Sequence, residues 1–284
     1  MSKRAIILLG AICVLAILFL GLYYLMLRNI DPFEYHAGRG TEFEQQGEDM
    51  KAIDEYREAV KYGPESEETH TRLGNLLLKV GDLDAAEYHF VKAIQIYEDS
   101  PLANLGLGRV YMERGQLELA RIYINSAFVK GRELPQVLMH WARLMDKLEK
   151  PDSAEIFFKR AIEKAAYKAP FANTLANYYI KTDRIDSAYA YFEYAAGVDS
   201  DYVTARVNLA NLKLASGDTA TAVSEYISIL STNPELVEVT YNLAVVYLKR
   251  QEYRLALQYA EKAVAIDSTY QPAIRLFGML KRQD

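Results

Sequence analysis

Cysteine is all but missing from this chain of 284 residues, where Cys13 stands alone. It falls inside an uncharged apolar run, so the rest of the chain has no disulfide, thiol nucleophile or cysteine-based metal site. Motifs that announce catalysis are missing too: there is no Gly-x-Ser-x-Gly elbow, Walker phosphate loop or His-Glu-x-x-His pair. Positive charge is scarce. Setting aside Lys3, Arg4 and Arg28, the 33 basic residues fall to 30 against 38 acidic ones, a net of −8. Such a surface repels nucleic acid. Neither enzyme chemistry nor nucleic-acid binding is expected, and no cofactor is implied.

What the chain does have comes first at its beginning. Residues 5–27 read "AIILLGAICVLAILFLGLYYLML" without a charged side chain. As a helix this run would be about 34 Å long, enough for a hydrocarbon core of about 30 Å. It is too long for a cleaved signal peptide, and no Ala-x-Ala site follows it. Ile12 before Cys13 departs from a lipoprotein signal. The run therefore reads as one transmembrane anchor, between a cytoplasmic terminus at 1–4 and a short linker at 28–32. Lys3 and Arg4 on one side against Arg28 on the other orient the bulk of the chain away from the cytoplasm. The run has no Gly-x-x-x-Gly pair, so nothing in it favours helix dimerisation.

Beyond the run the sequence repeats itself every 34 residues. One alanine recurs as Ala52, Ala86, Ala120, Ala154, Ala188, Ala222 and Ala256. Four residues later stand Tyr56, Phe90, Ile124, Phe158, Phe192 and Tyr226, with Ala260 the exception. A second alanine recurs as Ala59, Ala93, Ala127, Ala161, Ala195 and Ala263, with Ile229 standing in once. Upstream, small residues recur at Gly40, Gly74, Gly108, Ala142, Ala176, Ala210 and Ala244. Seven unbroken units fill residues 33–270, each a pair of helices with one apolar stripe apiece. The turn between paired helices falls on Gly47, Gly81, Gly115, Glu149, Asp183, Gly217 and Gln251. A left-handed residue suits that position, so the three non-glycine turns are expected to be strained. Pro101, Pro135, Pro170 and Pro272 mark helix starts.

The period, the Leu-Gly pairs at Leu73-Gly74 and Leu107-Gly108, the Ala-x3-aromatic-x2-Ala frame and prolines such as Pro64 and Pro234 at unit ends resemble the tetratricopeptide repeat family. The resemblance implies an all-α, right-handed solenoid of seven helix-turn-helix units. Residues 271–284 then resemble the helix that solvates the last repeat. It also implies protein or peptide recognition in a concave groove lined by the first helix of each unit, without catalysis. Fold alone does not establish this, so the groove residues must carry it.

Aligning the units puts Arg109 and Arg143 at one groove position, with His140 a helical turn from Arg143. Asn177 and Asn211 follow at the same position, with Asn173 and Tyr241 alongside. Guanidinium groups grip carboxylates bidentately, and amides can hold an extended backbone. The family's chaperone-binding type clamps a terminal carboxylate with basic residues and asparagines. Here Asn173, Asn177, Asn208 and Asn242 could supply amides, but Glu238 stands where a base is wanted. His36 and His70, one period apart, could be neighbours, but two imidazoles alone make a poor metal site.

The expected protein is thus a single-pass, membrane-anchored adaptor whose repeats face the periplasm at a bacterial inner membrane. It would bind a protein or peptide, as a transient adaptor or as a subunit of a larger membrane complex. The alternative is a cytosol-facing organelle import receptor for targeting peptides.

Overall fold

The computed structural model describes residues 31–282, which form fifteen α-helices with no strand among them. In order these are α1 (Pro32–Gln45), α2 (Asp49–Tyr62), α3 (Glu67–Val80), α4 (Leu83–Ile96), α5 (Pro101–Glu113), α6 (Leu117–Lys130), α7 (Pro135–Lys147) and α8 (Pro151–Lys164). There follow α9 (Ala169–Lys181), α10 (Ile185–Val198), α11 (Val203–Ala215), α12 (Thr219–Thr232), α13 (Val237–Lys249), α14 (Tyr253–Ile266) and α15 (Gln271–Leu280). Odd-numbered helices up to α13 are the first of each hairpin and even-numbered helices the second. The chain divides into two compact units. Unit 1 holds the residues up to Glu133 with Arg143–Lys150, and unit 2 holds Leu134–Ala142 and the residues from Pro151 onward.

Side-chain caps start several of the helices. The Ser66 and Ser100 hydroxyls accept from the Thr69 and Ala103 N–H groups, and the Asp82 and Asp218 carboxylates accept from Ala85 and Thr221. These caps satisfy amides that the first turn leaves over. Seven residues of positive φ are found among the described residues, and they are the seven turn positions: Gly47, Gly81, Gly115, Glu149, Asp183, Gly217 and Gln251. At each, two N–H groups reach back onto the preceding helix. In the second turn Gly81 donates to the Leu78 carbonyl (3.3 Å) and Asp82 to Leu77 (2.9 Å). In the fourth, Glu149 donates to Asp146 (3.0 Å) and Lys150 to Met145 (2.9 Å). This is the Schellman arrangement, and it closes whether or not glycine is present.

The repeated frame is the core. Its first alanines, its second-position residues including Ile229, and the aromatic or aliphatic residues between them are all at most 2% exposed. In unit 1, Phe90 is wedged by two glycines, since a Cβ on Gly74 or Gly106 would lie 2.8 or 2.1 Å from its ring. In unit 2, Tyr226 takes the equivalent place and donates its hydroxyl to Asn211 Oδ1 (2.5 Å). A second device recurs in both units. Tyr111 packs on Tyr123 (5.5 Å between rings), Tyr179 on Tyr191 (5.5 Å) and Tyr247 on Tyr259 (5.4 Å). The Tyr111 hydroxyl donates to Glu87 (2.7 Å), which also pairs with Arg114, while Tyr179 donates to Glu155 (2.9 Å), which pairs with Arg184 (2.7 Å). Partial burial pushes the Glu155 carboxyl up, but Lys159, Arg184 and the Tyr179 hydroxyl outweigh it and hold the group at about 2. In unit 2, α15 covers the last hairpin with Leu276 and Leu280 buried.

The expected localisation is corrected. Single-pass placement at a membrane, with periplasmic repeats, requires a spanning helix, and among the described residues no helix is long and apolar enough to cross a membrane. At 10 to 14 residues the helices are about 15–21 Å long against a hydrocarbon core of about 30 Å. The anchor expected at 5–27, with the terminus at 1–4, lies outside the described residues.

Candidate protein-binding face of the first helices

The 34-residue register brings Thr41, Asn75, Arg109 and Arg143 to one position on α1, α3, α5 and α7. All four belong to unit 1. Arg109 Nη1 donates to Asn75 Oδ1 (3.0 Å), which ties the first helices of neighbouring repeats together. Arg109 is half-buried and Arg143 exposed, and neither forms an ion pair among the described residues. Desolvation lowers the Arg109 guanidinium from its usual range, and the Arg143 charge lowers it further, while Glu113 works weakly the other way. Desolvation lowers Arg143 as well, and Glu113 partly restores it. Both stay charged, since an arginine far from its pKa keeps its proton. The buried side chains of Leu105 and Met112 belong to the same helix, α5. Two cations sharing the single nearby acid Glu113, with neither in an ion pair, can receive a further carboxylate.

In unit 2 the equivalent positions carry Asn177, Asn211 and Val245, and amides at these and nearby positions bond one another between neighbouring first helices. Asn208 Nδ2 donates to Asn173 Oδ1 (2.9 Å), and Asn242 Nδ2 donates to Asn211 Oδ1 (3.1 Å). Asn211 also receives the Tyr226 hydroxyl, whose pKa burial pushes up to about 12. Asn173 is buried, Asn177 is exposed, and Tyr241 meets the edge of Tyr270 at 5.7 Å. His140 is partly buried on α7. The register thus brings Arg109 to Asn75 and links Asn173 and Asn211 to further asparagines, whereas Asn177 stands open on α9.

The histidines pair otherwise than expected. His36 Nδ1 meets Glu55 (2.7 Å), and His70 Nδ1 meets His89 Nδ1 (2.9 Å), each on the second helix of its own hairpin. The His70 Nε2 lies 3.1 Å from the Pro64 carbonyl and so donates to it, which leaves Nδ1 to accept from His89. Burial lowers His70, and burial together with His70 lowers His89 to about 4. Among the described residues no three side chains are grouped as metal ligands.

A cleft missed in the sequence lies between α1 and α3. It measures about 310 Å³ and is lined in part by Phe33, Glu34, Gly38, Tyr56, Glu68 and Arg72. Its one sequence signal is Gly38, a glycine inside a helix with nothing within 4 Å of a Cβ placed on it.

Stacked helical hairpins with a polar first-helix face define a helical-repeat scaffold for protein interactions. Models described as tetratricopeptide repeat match residues 37–101 and 207–270, and a further one matches 77–137. The chain belongs to the tetratricopeptide repeat family. It is 27% identical over 214 residues to lipopolysaccharide assembly protein B of Escherichia coli K12, a match that covers 72% of this chain and 55% of that protein. The chain thus spans about half the length of the curated relatives it matches. Among solved structures, yeast Tom70 superposes with a TM-score of 0.69 at 14% identity, over 82% of this chain and 50% of that one. A thermophilic TPR protein of Thermus thermophilus gives 0.60 at 20% identity, over 64% of this chain and 99% of that one. Likeness at these identities is one of fold.

Proposed function

We propose that the chain is a non-enzymatic scaffold that grips a segment of another protein on its first-helix face. The observation that carries this reading is the Arg109–Arg143 pair. Two like charges share one place without an ion pair and with only Glu113 as a nearby acid, both are partly desolvated, and Arg109 is aimed by Asn75. A partner carboxylate would relieve that repulsion and bond both guanidiniums. In unit 2, His140, Asn173, Asn177, Asn211 and Tyr241 form an amide-rich face of the kind that holds an extended backbone, with Asn177 the most accessible of the asparagines. The printed name of the Escherichia coli relative speaks of assembly, which supports a role as a subunit that holds a companion within a larger complex.

The test is a quantitative comparison of companions recovered with the native chain and with an Arg109→Glu, Arg143→Glu variant. The reading expects a defined companion at near-equal amount with the native chain and its loss with the variant. Undiminished recovery would overturn it.

A further inference from the structure

The cleft between α1 and α3 adds a second charged contact to the same face, of opposite sign. Of its lining residues, Arg72 supplies the positive charge, and that charge is already engaged. Its Nη1 donates to Glu44 (3.1 Å) and its Nε to Glu68 (2.9 Å). Glu44 also accepts from the Tyr56 hydroxyl (2.9 Å), which lines the cleft wall. Of the lining carboxylates, Glu68 is therefore paired with Arg72, whose other bond goes to Glu44 outside the lining, and Glu34 on the facing helix adds a second with no ion pair among the described residues. The cleft carries a negative excess beside an aromatic ring, Phe33, and its volume is at the lower end of those that take a ligand group. Gly38 contributes no side chain to its wall, and a Cβ there would have nothing within 4 Å. Carboxylates around a ring and a small floor suit a guanidinium or ammonium whose methylene stem lies on the aromatic face.

We propose that this cleft receives an arginine or lysine side chain of the partner, and that the partner's acidic group meets Arg109 and Arg143. The inference rests on the function proposed above and specifies its ligand as a segment of mixed charge. The ordering follows from the register within unit 1. The cleft lies between α1 and α3, and Arg109 reaches from α5 back to α3. Packed helices lie about 8–10 Å apart, so the two charge sites are separated by about one to two helix spacings. An extended chain covers that in roughly two to six residues at about 3.3 Å each. The recognised pattern is a basic residue and an acidic residue spaced by that interval.

The test uses the full chain on an array of immobilised octapeptides with randomised positions. The native protein is expected to select Arg or Lys at one position and Asp or Glu roughly two to six positions away, each by about tenfold over alanine, near 1.4 kcal/mol. Glu34→Lys, and separately Gly38→Met, which adds a long side chain at the cleft wall where a Cβ has open space, should abolish the basic preference and keep the acidic one. Arg109→Glu with Arg143→Glu should do the reverse. Helical content by circular dichroism checks that each variant is folded. Acidic selection without any basic preference, or basic preference untouched by both cleft variants, overturns the cleft assignment and leaves the arginine site standing. Loss of neither preference in the arginine variant overturns the function it rests on.

Discussion

Units 1 and 2 place the same register positions on the same kind of helix and fill them differently. In unit 1 the position holds Asn75 under Arg109, a cation seated on an amide (3.0 Å). In unit 2 it holds Asn177, Asn211 and Val245, and the asparagine bonds run between different positions, Asn208 to Asn173 (2.9 Å) and Asn242 to Asn211 (3.1 Å). The supporting structure underneath does not follow that division. Tyrosine pairs recur in both units, and a glutamate of the preceding hairpin holds a tyrosine hydroxyl in each. Repeat packing therefore sets where a side chain stands, and residue identity at a few positions sets what the face can bind.

The largest expected effect on this comparison lies in the cores. Phe90→Ala in unit 1 removes a fully buried ring and should cost about 3–5 kcal/mol in denaturant unfolding. In unit 2, Tyr226→Phe keeps the ring and loses the bond to Asn211, so it should cost about 1 kcal/mol. A Tyr226→Phe cost near zero would show that the bond to Asn211 does not hold that position. Next comes Gly106→Ala, which forces a Cβ to within 2.1 Å of the Phe90 ring and should destabilise by about 1–3 kcal/mol. Gly38→Ala, with open space around it, should stabilise by up to about 1 kcal/mol. A matching loss at both glycines would contradict the packing described.

Smaller effects are expected at the turns. Glu149→Gly, Asp183→Gly and Gln251→Gly relieve positive φ values of 57°, 57° and 62°, and each should raise stability by about 0.5–1 kcal/mol. Gly81→Ala, at φ 87°, should lower it by about 1 kcal/mol. Thermal melts of the four variants decide this. A further difference separates the units by pH. His70 and His89 are held neutral below their usual value, so the unfolded chain binds more protons than the folded one on the acid side. Stability should be full above about pH 6.5 and fall as the pH drops toward 4. Hydrogen exchange resolved by helix should show α3 and α4 opening first on acidification, and His70→Leu should flatten that response. Uniform acid sensitivity across both units would contradict it.

The seven turn residues could be read from the sequence because a 34-residue period assigns them without reference to packing, and each has positive φ. Arg109 and Asn75 could be read for the same reason, since their bond joins positions one period apart. Mutual bonding of the asparagines could not. It links residues 31 and 35 apart and depends on small rotations of neighbouring helices that periodicity does not encode. The histidines misled, because one-period spacing suggested His36 beside His70, whereas each turns to the residue 19 positions on, across its own hairpin. The α1–α3 cleft was hidden because it is made by a missing side chain at Gly38 and by Arg72 being drawn to Glu44 and Glu68. Hydropathy drew a membrane placement that no described helix supports.

The most direct test of the binding face is site-specific photocrosslinking within unit 1. A photoreactive residue at Glu113, exposed on α5 near both arginines, is compared with one at Ile122, exposed on α6. Adducts to a companion protein at 113, abolished by Arg109→Glu with Arg143→Glu, are the predicted result. Adducts that form at 122 and not at 113 would place the partner on the second helices and contradict the account.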